Sequence, residues 1–477
     1  MNIQLGVVLL YVLVLFGISL WVRRRTQNSS GFLFAGRKLT VPMVAANITA
    51  TAVGAASTIG VAESAFTHGI SAGLYNVAWA AGAITMAFLA AGKYRALECT
   101  TIPELFERYY DKKGRAIAVL GMITVQLVIT SLQYIAGGAI LSSLLPDIFS
   151  FESGMIVSAF VFIGTTLLGG LWFSGISNIL SVTLVYIGVA VSTFVIIQQQ
   201  GGWNELVLAL PADVAWFDPI GSLGMATVIG WFVVMITQTI TAQGPVQVAC
   251  AAKDSDTAKK GFMWGAALMF PIGFLCAVMG MAARVMHPAL QATLALPNMI
   301  MGLDPVIAGV TLAALWAADI GTASHILLAA GTLFSQDIYK RFIDPSVSEH
   351  KYTLVNRWAL LILGLGTLWL AFNASGIVKT MLIGLSLTTA FTIVFLGTMF
   401  APQLCRKNTA FYTTLVGIVI LFAWQFFPQT HIVAHPIYLE WIGCLLTFFL
   451  VPLFDKQPIK HGGAEREKQN AAQAVTA

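Results

Sequence analysis

The sequence predicts an all-α polytopic membrane protein, and three observations carry that prediction. Composition is the first: 57% of the 477 residues are hydrophobic and 10% are charged, against about 25% charged in soluble domains. The second is recurrence. Apolar runs of about 20 residues, each enough to cross a hydrocarbon core of about 30 Å, follow one another from Gly6 to Phe454. Third, Lys and Arg collect in alternate loops between those runs, as membrane insertion requires.

About thirteen spans are expected, starting near Gly6, Pro42, Leu74, Ala116, Gly154, Ile176, Gly221, Gly261, Val306, Trp358, Ile377, Thr409 and Ile437. The first, Gly6 to Val22, has no basic residue ahead of it and no small-residue cleavage site, and Arg23, Arg24 and Arg25 follow directly. It reads as a retained span rather than a signal peptide. With the amino terminus outside, only Arg284 and Lys379 of the 26 Lys and Arg face outward, which leaves 26 − 2 = 24 on the inner side. One misplaced span would invert every later loop and destroy that split. A multi-pass protein of a bacterial-type inner membrane, carboxyl terminus in the cytoplasm, is the expectation.

The five cysteines are scattered and lack the C-x-x-C spacing of a zinc site or redox pair. The net charge of +5 sits in short loops without interleaved aromatics, which fits orientation in a lipid bilayer rather than nucleic-acid binding. No nucleophile with an adjacent base, metal-ligand cluster or phosphate loop stands out, so enzyme chemistry is not expected. No obligate protein partner is evident either.

Two spans differ from the rest. The second carries Asn47-Ile-Thr-Ala-Thr-Ala-Val-Gly-Ala-Ala-Ser-Thr-Ile-Gly60 and the seventh Thr237-Gln-Thr-Ile-Thr-Ala-Gln-Gly-Pro-Val-Gln247, small and helix-breaking residues where lipid demands continuous hydrogen bonding. Either segment alone is explained equally well by close helix packing. They lie five spans apart, and an odd number of spans per unit turns a second copy upside down. That is the pattern of an inverted-repeat transporter with its site at two helix breaks.

Asp319 falls about thirteen residues into the ninth span, about 20 Å from its outer end, and Thr322 shares its face. A carboxylate and a hydroxyl there suit sodium; the carboxylate alone suits a proton or a cationic solute. A buried structural Asp is the bland alternative. Glu63 and His68 sit near the outer end of the second span and can reach interfacial water, and His325 reads as a structural histidine. Asn178, Gln238, Gln243 and Gln247 can bond freed backbone or a solute, while Trp79, Trp231 and Trp316 read mainly as packing.

Five pieces in order carry a resemblance: Phe34-Ala-Gly-Arg-Lys38, Asn47-Ile-Thr-Ala50, Thr101-Ile-Pro-Glu-Leu-Phe-Glu-Arg108, Gln247-Val-Ala-Cys-Ala-Ala-Lys253 and Leu333-Phe-Ser-Gln-Asp-Ile-Tyr-Lys340. With the span count, the chain resembles the sodium:solute symporter family. The resemblance implies a five-plus-five inverted-repeat core of leucine-transporter type over 42–400. One peripheral span (6–22) precedes it and two (409–454) follow. Residues 1–454 then form one transporter domain and 455–477 a disordered cytoplasmic tail.

It also implies a sodium ion between the second and ninth spans, held by the carbonyls of Ala50, Val53 and Ala318 and by two adjacent hydroxyls. Thr322 supplies one hydroxyl, and Gly321 stands where the other belongs. Asn178 stands where many members have an aspartate that supports sodium. Asp319 is therefore the candidate coupling carboxylate, replacing the missing ligand or charge, and Asn178 a possible auxiliary group. The solute lining is expected from Ala55, Ala56, Thr58, Asn76, Gln243 and Gln247. The expected function is secondary active symport of a small organic solute with sodium and no other cofactor. The alternatives are a proton-coupled or uncoupled carrier of the same fold, or a transporter-like solute sensor.

Overall fold

The computed structural model describes residues 3–22, 29–97, 101–212, 214–372 and 377–460 and is helical nearly throughout. Arg23–Arg25, Cys99 and the tail from residue 461 lie outside the described residues. In chain order the principal helices are α1 (Ile3–Val22), α2 (Val41–Ala52), α3 (Val61–His68), α4 (Leu74–Leu89), α5 (Ile102–Tyr109), α6 (Lys112–Leu144) and α7 (Phe151–Gln199). Then come α8 (Met225–Thr241), α9 (Gln243–Ala251), α10 (Ser255–Met286), α11 (Pro305–Thr332), α12 (Glu349–Ala371), α13 (Ile377–Ser386), α14 (Thr388–Phe400), α15 (Thr409–Phe426) and α16 (Pro436–Phe454).

Among the described residues ten helices are long and apolar enough to cross a membrane, or eleven if the bent pair α8 and α9 is one span. The gap to thirteen has two sources. The qualifying stretch of α1 is only Leu9–Val22, and the continuous run Ala56–Leu89 joins the far half of the second span to the third, leaving α2 as a short helix.

The 49-residue run α7 would be about 73 Å long if straight, more than twice a hydrocarbon core. Its contacts with α11 show that it folds back. Passing along α11, Trp316 donates to Ser158 and Ser324 lies 3.3 Å from Thr165, so the first arm descends with α11. Thr311 instead lies 3.1 Å from Ser192, and Asn178 abuts Gly321, so the second arm runs the other way. The fifth and sixth expected spans are these two arms.

α11 forms the centre of the bundle: 83% of its most apolar stretch is buried, against 33% for α15 and 28% for α16. The last two helices are thus peripheral. At the end carrying the clustered Lys and Arg, the basic end, an ion-pair network ties α5 to α6 and to the π-helical turn Leu333–Ile343 that continues α11. Arg115 pairs with Glu107 at 2.8 Å and Asp337 at 2.6 Å, Arg341 pairs with Glu107, and Thr101 donates to Asp337 at 3.0 Å. Residues 455–460 stay docked at this end: Asp455 accepts from Asn408 and Lys460 N donates to Tyr109 O.

Candidate ion and solute site

The second span breaks where its residues become small. α2 begins at Val41 with Pro42 in its first turn, where a missing N–H costs nothing. It ends at Ala52, and Val53 takes a non-helical ψ of 46°. A π-helical turn over Ala56–Gly60 then leads into α3. Helix ends leave carbonyls and N–H groups without intrahelical partners, and in a membrane these must be answered by protein.

Here they are answered by α6 and α11. Ala55 N donates to Oε1 of Gln133 on α6 at 3.1 Å. Thr58 Oγ1 donates back to Gly54 O at 3.0 Å. Thr322 Oγ1, on α11, lies 2.5 Å from Ala50 O and 2.9 Å from Ala318 O. Three oxygens of the expected sodium set thus converge across the break. A Cβ at Gly54 would come within 2.7 Å of Thr322 Oγ1 and 2.9 Å of Gln133 Oε1, so only glycine permits the approach. Val53, the remaining carbonyl, is buried at the end of α2.

Asp319 is 1% exposed, and neither carboxylate oxygen has a hydrogen-bond partner among the described residues. It lies one turn from Thr322 on the most buried helix. His325 is tied to the broken span: Thr51 Oγ1 donates to Asn47 O at 2.7 Å and so accepts from His325 Nδ1 at 2.9 Å. Asn178 is buried on the second arm of α7, where its Nδ2 donates to Ser174 Oγ at 3.0 Å and to Asn47 Oδ1 at 3.2 Å.

The expected solute-lining residues divide. Ala55, Ala56 and Thr58 line the break itself and are buried. Asn76 donates to Met269 O at 3.4 Å and packs on Gly273 of α10, while Gln247 donates to Leu33 O at 2.6 Å. Both thus bond backbone carbonyls of neighbouring elements. Gln243 opens α9 and is buried at the second break. Gln133 and the Asn47–Ser174–Asn178 chain were not singled out from sequence. Gln133 shares its span with Gln126, Thr130 and Ser131, so no signal in the sequence separates it from them, nor gives the chain's register.

At the end opposite the basic one, a cavity of about 790 Å³ opens beside the π-helical turn at Gly60, lined by Glu63, His68, Trp231, Trp424, His431 and His435 among others. Glu63 lines this cavity, and its carboxylate accepts from Thr293 Oγ1 at 3.0 Å and Ile377 N at 3.2 Å.

Two spans each broken once, five spans apart in the chain, with oxygens gathered at one break and a cavity leading toward it, define an ion-coupled transporter of the inverted-repeat class. The model of the sodium:solute symporter family matches residues 32–417, and the chain belongs to that family. It is 28% identical over 404 residues to a sodium/glucose cotransporter of Vibrio parahaemolyticus, covering 76% of this chain and 73% of the relative. To a sodium/proline symporter of Escherichia coli it is 22% identical, covering 88% and 87%.

Among solved structures, the substrate-bound outward-open state of a Na+-coupled sialic acid symporter superposes with a TM-score of 0.79 at 18% identity, covering 96% of this chain and 99% of that one. A nucleobase-cation-symport-1 family transporter in a closed conformation gives 0.60 at 13% identity, covering 92% and 99%. The fold is the five-plus-five inverted repeat, and the protein is a sodium-coupled solute symporter of the membrane.

Proposed function

We propose that this symporter imports a small polar organic solute by binding sodium at the first break, between the end of α2 and the middle of α11. The observation that carries this reading is the meeting of Thr322 Oγ1 with Ala50 O and Ala318 O. Sodium, a hard cation, takes such oxygens. Val53 O completes the backbone set, and Asp319, one helical turn away, supplies the negative charge that a cation needs at membrane depth. The solute lies against Ala55, Ala56 and Thr58, whose freed backbone groups are its recognition surface, with Asn76, Gln243 and Gln247 in the surrounding walls. No bond is made or broken in the solute.

The basic end faces the cytoplasm and the amino terminus faces outward, on the 24-to-2 partition of Lys and Arg. The cavity of about 790 Å³ then opens outward, and the ion pairs of Glu107, Arg115, Asp337 and Arg341 tie the cytoplasmic end. Bound sodium steadies the broken span against α11, the arrangement the solute also needs. Each ligand raises the other's affinity by the same factor. The relatives named above carry glucose or proline by their names, which supports a solute of that size.

The test is uptake of a panel of labelled metabolites into proteoliposomes under an inward sodium gradient, an inward proton gradient, or neither. Accumulation only with sodium is expected. Accumulation that follows protons and ignores sodium would remove sodium from the account and make Asp319 a proton carrier.

A further inference from the structure

Two short polar stretches meet at the basic end. One is the connection Ala401-Pro-Gln-Leu-Cys-Arg-Lys-Asn408 between α14 and α15, and the other is the segment Asp455-Lys-Gln-Pro-Ile-Lys460 that follows α16. The segment folds back over the connection. Lys407 N donates to Gln457 O at 3.0 Å, Arg406 and Pro458 form an isolated antiparallel bridge, and Lys460 N reaches Tyr109 O at 2.8 Å.

A cavity of about 420 Å³ lies where they meet, lined by Lys93, Tyr109, Thr398, Gln403, Arg406 and Lys460 among others. Its three cations come from three separate parts of the chain, and no acidic residue lines it among the described residues. No ion pair holds any of the three among those residues either. Asp455, the acid on the segment, is spent on Asn408 N and Nδ2 at 2.9 Å and on Gln457 N at 3.0 Å. Lys93 rests on a neutral partner, its Nζ 3.7 Å from the centroid of the Phe400 ring. Arg406 turns Nη1 to the carbonyls of Gln403 at 2.7 Å and Cys405 at 2.9 Å. That leaves its Nε and Nη2 edge, which can grip a phosphate through two parallel hydrogen bonds. Like charges gathered around one cavity repel, and a bound anion relieves that repulsion.

The surroundings favour a lipid as the source of the anion. Phe400 and Leu404, 53% and 41% exposed, adjoin the lining residues Met399, Pro402 and Gln403. One span stops at Phe400 and the next starts at Thr409, the level at which headgroups meet hydrocarbon. A soluble phosphate makes no use of that apolar rim, whereas acyl chains do.

We infer that this cavity binds the headgroup of an anionic phospholipid, with Arg406 on the phosphate, Lys93 and Lys460 adding charge, and Phe400 and Leu404 against the acyl chains. Basic loops that orient a membrane protein need only the number of their charges; this site needs their placement. The docked segment supplies one wall, so lipid binding and the fold-back stabilise each other. The inference stands whether or not sodium binds at the first break.

The experiment follows the thermal midpoint of the purified protein in detergent micelles as phosphatidylglycerol or phosphatidylcholine is added at constant ionic strength. Phosphatidylglycerol is expected to raise the midpoint more than phosphatidylcholine does, and equal responses overturn the inference. Lys93→Gln/Arg406→Gln/Lys460→Gln is then compared with Lys112→Gln/Lys113→Gln/Lys340→Gln, which removes the same charge from the same end but outside the cavity. Both triple variants lose diffuse attraction alike, so the cavity variant should need about tenfold more phosphatidylglycerol for half its effect than the other. Equal requirements would leave diffuse attraction only and overturn the site. If the cavity variant does not fold, Arg406→Gln against Lys112→Gln carries the comparison at about threefold. In a last arm inorganic phosphate replaces the lipid, and no rise is expected. A rise matching that of phosphatidylglycerol, and lost in the cavity variant, would make this a site for a soluble anion and overturn the lipid assignment.

Discussion

The two helix breaks are counterparts in the repeat, yet they are built differently. At the first, between α2 and α3, freed groups meet side chains of α6 and α11, and the carboxylate of Asp319 and the amide oxygen of Asn178 remain unpartnered among the described residues. At the second, between α8 and α9, the chain bends 46° at Ala242. There neighbours answer several of the freed groups: Thr241 and Thr392 hydroxyls lie 2.7 Å apart, Thr392 donates to Thr237 O at 2.8 Å, and Tyr94 donates to Ile240 O at 2.9 Å, while Gln247 Oε1 has no hydrogen-bond partner among the described residues. Inverted repetition duplicates the break but not the ligand set. The second break is a joint held to α14; the first, on the reading proposed above, keeps oxygens in reserve for an ion.

That contrast can be broken by substitution on either side of it. The largest effect belongs to Thr322→Ala, which removes a ligand to a charged species, an interaction of about 1.5–3 kcal/mol. Sodium activation of uptake should weaken by about tenfold to a hundredfold, and an unchanged sodium curve would place the ion elsewhere. Asp319→Asn keeps shape and removes charge. Its sodium curve should shift by about tenfold with insertion intact, whereas wild-type sodium activation would make Asp319 a structural group.

At the second break, Thr241→Val keeps the volume and loses one neutral hydrogen bond, worth about 1 kcal/mol. The thermal midpoint should fall slightly while the sodium curve stays put; a shifted sodium curve would erase the distinction between the breaks.

The smallest effect is at the basic end. Burial raises the Glu107 carboxyl, but the hydrogen bonds and charges of Arg341 and Arg115 outweigh it and hold the group at about 2. A folded value below the unfolded one gives a contribution that is complete above the ordinary carboxylate range and lost only as pH falls toward 2. Glu107 itself should therefore add no slope to stability between pH 6 and 8. A Glu107→Gln variant that loses stability only at pH 8 and not at pH 6 would contradict it.

Much of the architecture was legible because a bilayer imposes it. Apolar length gives the spans, the Lys and Arg partition gives their alternation, and runs such as Gly54-Ala-Ala-Ser57 cannot continue a lipid-facing helix without help. The backbone half of the proposed ion site follows from family resemblance. What the sequence could not show is the rotation of one helix against another, set by packing rather than by the apolar pattern. The bonds of Asn76 to Met269 O and of Gln247 to Leu33 O depend on such rotations. Glu63, which lines the open cavity, also bridges Thr293 and Ile377, contacts no spacing rule announces. The contact of Asn178 with Gly321 joins residues on different helices, and no spacing rule within either helix announces it.

The most direct measurement needs no knowledge of the solute. An ion that binds only the folded state raises the thermal midpoint in proportion to the logarithm of its concentration, so purified protein is melted in sodium and in potassium at equal ionic strength. The account predicts a sodium-specific rise in the wild-type protein that disappears in Thr322→Ala. The same rise in both proteins, or none in either, would contradict a sodium site at the first break.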